Sequence, residues 1–560
     1  MKFASVTLFF SLLLGMASCY KGSSADVIIH NAKIHTMDDQ GATYEAVAIK
    51  DGKILELGPE RKILNKYSAD EVIDAEMKDV YPGFTDAHAH IFSYARKKLG
   101  VDLVGCRSFE EMIVRIEKYH SKHDRPYIIG HGWDQSLWGE NTMPINDTLN
   151  LLFPGIPVCL FRIDGHTLLA NDYLIAQSDA LAKYKADPEL LTGGYYEQHP
   201  KVLRMECKGP CDVPSGVFVD NAMNPILDIL PDFSDEELSG AILEIQQELL
   251  SYGITGVHEA GVKYREMRLF ERLMEKGKFH LNLYAMLLPT PKNKAFAEKN
   301  GVYKKHSLLV RSFTVHGDGS LGSRGAFLKR HYSDRNNHSG YFCTSPERMQ
   351  SIADFCEGIG YQMNTNATGD STTRLLLDIY SGVAKRNPDH RWRIEHVQVI
   401  DVQDIMAFAN VRALPGVQPT HAVSHQHWAE SRLGPDRMPG AYAYRSLLEA
   451  CGLLAIGTDF PVEYTDPFRT IHAAVNRQNA ENHPGSGFLA QEAIAFDECI
   501  RGMTIWAAVA AFQEDTLGSL EEDKDATLVI FDGPVTASGP YKPNFAHTVF
   551  IRGEKVYSVE

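Results

Sequence analysis

The stretch VYPGFTDAHAH (residues 80–90) is an apolar run that ends in the polar residues Asp86, His88 and His90. Seven further runs are built the same way, namely ITGVHEAG (254–261), FHLNLYAML (279–287), RSFTVHGDG (311–319), YQMNTNATGD (361–370), RWRIEHVQ (391–398), RALPGVQPTH (412–421) and LLAIGTDFP (453–461). Most are separated by segments with helical spacing, such as EELSGAILEIQQELLSYG (236–253) and PERMQSIADFCEGIG (346–360). Strand and helix alternating eight times predicts an α/β fold, the (β/α)8 TIM barrel. Catalytic groups of that fold sit at the C-terminal ends of the strands, where the polar residues lie here.

The two ends of the chain read differently. Residues 26–57 and 526–560 are short β-branched runs broken by tight turns, the pattern of antiparallel strands. Together they predict a small composite β-sandwich built from both termini, over 20–79 and 515–560, flanking a barrel over 80–514. The stretch between the first and second runs carries strand-like pieces, YIIGHGWD and VCLFRIDGH. It predicts an inserted subdomain over about 100–235, above the barrel mouth.

The chain has 560 residues and ordinary globular composition, with 44% hydrophobic and 23% charged residues, which excludes a disordered or collagen-like chain. Its net charge of −16 repels phosphate backbones, so no nucleic-acid partner is expected. Residues 1–19, MKFASVTLFFSLLLGMASC, start with a cationic Lys2 and continue as an apolar run too short to span a bilayer. They read as a secretory signal peptide with a lipobox-like end, although Met16 stands where the lipobox usually has leucine. The expectation is export to a bacterial periplasm or cell surface, with membrane attachment only through a lipid on Cys19. Cys207 and Cys211, in a Gly/Pro turn, could pair or stay reduced, and the other six cysteines read as buried thiols. Oligomeric state is left open.

Two histidines two apart on a strand face the same way, so His88 and His90 can reach one ion. His396 closes the sixth run and Asp459 the eighth. Each alone has a structural explanation, a core histidine or a loop cap. Their conjunction at strand ends that converge on one axis points to a metal centre.

With those residues in hand, the chain resembles the amidohydrolase superfamily, in its YtcJ-like amidohydrolase-3 branch. The resemblance rests on PGFTDAHAH, GHGWDQSLW, FRIDGH, GITGVHEAG, DGSLGSRGA, RIEHVQ, VQPTHAVSHQHWAESRLG, AIGTDFPVE and LGSLEEDKDATLVIFD, and covers nearly all of residues 25–560. It implies hydrolysis of a non-peptide C–N bond, in an amide or cyclic amide, at one or two divalent ions. His88, His90, His396 and Asp459 become the implied metal ligands. Two positions depart from the family. Thr314 stands where the family has a lysine whose carboxylated form bridges two metals, and Asn366 stands where it has a histidine. One ion, zinc by preference, is therefore expected rather than two. His316 faces the same way as Thr314 and is a further candidate ligand or substrate contact, as is Asn366 for the metal. His258 has a weaker claim.

The implied mechanism uses metal-activated water. Asp459 carries the proton to the departing nitrogen, and the metal or His396 polarises the carbonyl. Arg324 and Asp318, in the loop after the fourth run, and Trp133, Arg162 and His166, in the insertion, are candidate substrate contacts. Trp133 could equally be core, and for Arg324 bracing its loop is the preferred reading. The competing reading is a degenerate barrel that binds a small ligand without turnover, motivated by Thr314 and Asn366.

Overall fold

The computed structural model describes residues 23–123, 125–139, 142–200 and 213–559. The signal segment 1–19 with Cys19, and the pair Cys207 and Cys211, lie outside the described residues. Cys106, Cys159, Cys343, Cys356, Cys451 and Cys499 are free thiols. Among the described residues no helix is long and apolar enough to cross a membrane.

Each of the eight runs contains a barrel strand. They are β1 (Phe84–Ala89), β2 (Ile254–Val262), β3 (Asn282–Leu287), β4 (Leu308–His316), β5 (Gln362–Ala367), β6 (Arg393–His396), β7 (Leu414–Val417) and β8 (Ala455–Ile456). Neighbours pair in parallel from β1 through β8. The gap between β8 and β1 is bridged just past the short β8. Asp459 N–H donates to the carbonyl of His88 at 2.8 Å. Thr458 N–H and its hydroxyl donate to the Asp86 carboxylate at 3.0 and 2.6 Å.

Period-two alternation sorts the side chains of each strand. On β4, Phe313 and Val315 pack outward in the main apolar core, which leaves Ser312, Thr314 and His316 on the barrel axis. That axis is unusually polar, since it also holds His258, Gln362, Asn364, Arg393 and Glu395, all buried. Two glycines make room for it. A Cβ on Gly416 of β7 would stand 2.1 Å from a Glu395 carboxylate oxygen, and one on Gly457 would stand 2.4 Å from the His88 nitrogen. Helices between strands close the outside. The one leading into β2, Asp235–Ser251, starts at a capping box in which Ser234 and Glu237 satisfy each other's backbone N–H groups.

The terminal segments form two sheets. One holds Lys53–Gly58, Ala46–Lys50, Ser23–His30 and Tyr67–Asp74. The other holds Glu554–Ser558, Ala546–Ile551, Leu528–Phe531, Asp79–Pro82, Lys33–His35 and Thr43–Tyr44. Leu528–Phe531 runs antiparallel to Asp79–Pro82, so the two chain ends share one sheet. Val27, Ile29, Ile49, Val80, Ile530 and Phe550 share one apolar cluster. The insertion has its own six-stranded sheet, from Val101–Asp102 to Pro214–Asp220, with its own core around Trp133.

Candidate metal centre

Nδ1 of His88 lies 3.0 Å from a Glu395 carboxylate oxygen on β6. Nδ1 of His90 lies 2.9 Å from the carbonyl oxygen of Ala260 on β2. An acceptor at Nδ1 keeps a proton there and turns Nε2 to the far side of the ring. Those two Nε2 atoms stand 3.9 Å (His88) and 3.0 Å (His90) from the same Asp459 oxygen, Oδ1. Nε2 of His88 is buried and has no hydrogen-bond partner. An orphaned buried nitrogen calls for an explanation. Here it belongs to a His/His/Asp group whose ligand atoms all lie within 4.8 Å of one another, a donor set that suits a divalent cation.

β6 and β7 add two more imidazoles. His396 has its Nδ1 2.9 Å from the Gln418 side-chain oxygen, and its ring centroid is 4.9 Å from that of His88. His421 sits in the first turn of the helix Pro419–His425, which follows β7. Its Nε2 is 3.5 Å from the second Asp459 oxygen, Oδ2, and is also buried without a partner. His396, His421 and Asp459 form a second group with metal-ligand spacing. The backbone is left-handed at His396 (φ 73°) and Asp459 (φ 64°), strain of the kind that the surrounding packing must hold at a functional site.

A buried salt bridge supports this arrangement from below. Arg393 donates to Glu395 through Nη2 at 3.1 Å, with Nε at 2.6 Å from the other oxygen, and donates to the Ala87 carbonyl at 2.7 Å. Burial would raise the Glu395 pKa, but Arg393 and His88 hold it down at about 2, so it stays an anion that orients His88. Burial works the same way on Asp459, and the surrounding imidazoles, His90 first, hold it well below the carboxylate range. His396 is pushed down to about 3 by burial and by His88, so its ring is neutral.

The other sequence candidates fall at different places. His316 ends β4 with its ring open to the mouth, and it belongs to neither group above. Asn366 pairs in register with it at the end of β5, with Oδ1 buried and unpartnered, and Thr314 Oγ1 is likewise orphaned. His258 accepts a hydrogen bond from Arg393 at 2.9 Å and lies within the polar axis. Three of the candidate substrate contacts have structural partners instead, and Arg324 takes the bracing role preferred above. Trp133 is fully buried in the core of the insertion and donates to the Leu160 carbonyl. Arg162 is buried and spends its nitrogens on Gln135, Asp164 and Asp134. Arg324 binds Asp334 through two nitrogens, at 3.0 and 2.9 Å, bracing its loop. Asp318 accepts backbone N–H bonds from Phe327, Thr368 and Gly369. His396 presents Nδ1 to the Gln418 side-chain oxygen, and a neutral ring with its proton there has no N–H at Nε2 to offer a carbonyl.

His166 does face the mouth, its ring centroid 6.3 Å from that of His316. The buried Asp220 carboxylate binds its Nδ1 at 2.5 Å and also accepts the Tyr341 hydroxyl at 2.7 Å. Burial opposes the charge, yet Asp220 raises the His166 pKa to about 9. A raised pKa stabilises the fold fully below the unfolded value near 6.5 and loses that contribution as pH climbs through about 9. Denaturant titrations should show about 3 kcal/mol lost across that window, and Asp220→Asn should remove the share that His166 contributes. A flat profile in the parent protein would refute the pairing.

No sequence pattern marks Glu395, Gln418 or Asp220, whose roles depend on partners far along the chain. His421 was within reach, because RALPGVQPTH is the seventh run and His421 is its polar end.

The chain is similar to known proteins over most of its length. The model of the amidohydrolase family matches residues 71–557. YtcJ of Bacillus subtilis (strain 168), a protein described as a putative amidohydrolase, is 26% identical over 95% of this chain and 99% of its own length. The N-substituted formamide deformylase of Arthrobacter pascens is 23% identical over 90% of this chain and 93% of its own. The crystal structure of a metal-dependent hydrolase from Pyrococcus horikoshii OT3 superposes with a TM-score of 0.72 at 24% identity, over 91% of this chain and 97% of that one. With a family model that spans most of its length and a barrel whose strand ends gather imidazoles around one carboxylate, the chain belongs to the amidohydrolase family.

Proposed function

We propose that the protein is a metal-dependent hydrolase that cleaves a non-peptide C–N bond in an amide or cyclic amide of a small molecule. One observation carries the reading: His88 and His90, each fixed at Nδ1, face one oxygen of Asp459. Zinc is the ion that two imidazoles and a carboxylate suit, with the remaining coordination open to water and substrate. When bound, such an ion supplies Lewis acidity and brings the pKa of water to about 7. Asp459 is placed to take the water's proton and deliver it to the departing nitrogen. Glu395 holds the His88 ring, and Arg393 holds Glu395. The related formamide deformylase directs the first substrates to try, N-substituted formamides and then N-acyl amines. Metal-loaded protein should hydrolyse a member of such a library and lose that activity to a chelator. No turnover across the library, with a small ligand still bound, would support the rival reading.

The rival is a barrel that binds without turnover, and Thr314 and Asn366 favour it. Neutral hydroxyl and amide oxygens are poorer zinc donors than imidazole. Asn366→His should slow metal loss to a chelator about tenfold. An unchanged rate would mean that the end of β5 does not face the ion. We also propose export, with a lipid on Cys19; Cys19→Ser should release the protein from membranes and abolish palmitate labelling.

A further inference from the structure

The insertion places a charged imidazole at the barrel mouth. Nδ1 of His166 donates to Oδ1 of Asp220 at 2.5 Å, and the Tyr341 hydroxyl donates to Oδ2 at 2.7 Å. The Asp220 side chain is 1% exposed and that of His166 is 26% exposed, so the carboxylate is sealed behind a ring that opens to the mouth. Among the described residues Nε2 of His166 has no hydrogen-bond partner. Two glycines in the loop after β4 clear the space for this pair. A Cβ on Gly319 or on Gly325 would stand 2.4 Å from Oδ2 of Asp220. Asp220 itself has a left-handed backbone (φ 50°), which the surrounding packing must hold.

A buried carboxylate on Nδ1 favours the charged ring, and a charged imidazole carries a proton on Nε2 as well. The face that meets the mouth is therefore an N–H donor with a positive charge behind it. The arginines of the neighbouring loops do not offer this, because Arg162 is bound to Asp134 and Asp164, and Arg324 to Asp334. From this we propose that the substrate is an amide that also carries a carboxylate, and that His166 donates its Nε2–H to that carboxylate. The inference rests on the hydrolase reading above and narrows it to anionic amides. A single N–H donor suits a singly charged carboxylate better than a phosphate, whose oxygens call for several donors. The position of the ring fits a contact away from the scissile bond. His166 lies 6.3 Å, centroid to centroid, from His316, and neither belongs to the groups around Asp459. A substrate whose amide lies at those groups meets His166 with another part. Asp220 is a positioning residue, since it fixes both the ring and its charge.

The test compares acid with ester on the zinc-loaded full-length protein. N-formyl and N-acetyl derivatives of glycine, β-alanine and 4-aminobutanoate are titrated by calorimetry beside their methyl esters. At least one acid should bind about tenfold more tightly than its ester, as a charge-assisted hydrogen bond allows. In His166→Gln that preference should fall to about twofold or less, since glutamine offers only a neutral donor. Asp220→Asn should erase it too while keeping the ring, because a neutral imidazole that donates from Nδ1 has no proton on Nε2. If either variant does not fold, the other carries the test. Where a compound is hydrolysed, KM for the acid should rise about tenfold in either variant relative to KM for the ester. Acids and esters bound alike by the parent, or an acid preference kept in the folded variants, would overturn the inference and leave the hydrolase reading standing. So would a fall in kcat shared by acid and ester, the mark of a proton donor to the reaction itself. An acid preference lost in the variants, with no hydrolysis of any compound, would uphold the contact and count against the hydrolase reading.

Discussion

Replacing Asp459 with asparagine should lower kcat by about 10^3-fold or more while the barrel stays folded. Asparagine keeps the shape and the backbone bond from residue 459 to the His88 carbonyl, so the junction between β8 and β1 survives. It removes the anion that both imidazole groups surround and the base that would carry the proton. Asp459 is buried, and no second carboxylate takes part in either group. The measurement is kcat on whichever amide the metal-loaded parent hydrolyses, with circular dichroism as a control on folding. A variant retaining more than about a tenth of parental kcat would refute the proton-carrying role. Metal content should fall with activity, which separates this residue from one that only touches substrate.

The second large effect is on stability. Arg393→Met should cost about 3–5 kcal/mol, the usual penalty for removing one partner of a buried ion pair. Both Arg393 and Glu395 are fully buried. Without the guanidinium, Glu395 becomes a buried charge with only His88 to answer it, and the Ala87 carbonyl loses its donor. Trp392, buried beside Arg393 in the chain, offers a fluorescence signal for a denaturant titration. A loss below about 1 kcal/mol would show that water reaches this part of the axis. Removing both charges, in Arg393→Met with Glu395→Leu, should restore part of the stability. It should not restore metal binding, because His88 would lose the acceptor that fixes its proton.

The barrel was legible because its eight strands are buried runs whose ends turn polar, a pattern that survives without any partner being known. His88, His90, His396 and Asp459 were legible for a related reason: each stands at the end of its run, and runs in a barrel converge. His421 ends its run in the same way, yet it went unassigned, since it lies in the first turn of a helix and not on the strand. Arg162 and Asp318 were not placed for another reason. A polar or aromatic side chain announces its chemistry but not its partner, and the partners sit elsewhere in the chain. Arg162 is bound by Asp134 and Arg324 by Asp334, contacts that only the folded loops create. The Asp220 that grips His166 comes from another strand of the insertion, 54 positions away.

The sheet shared by the chain's two ends has a consequence for how the molecule is made. Asp79–Pro82 runs straight into the opening barrel strand, yet its neighbour Leu528–Phe531 leaves a ribosome only after the whole barrel. Until that moment the strand keeps a bare hydrogen-bonding edge, which a nascent neighbour could capture. The sheet therefore waits for a clasp: a product cut short before Leu528 lacks the piece that fastens it, and should be cleared by proteases rather than accumulate.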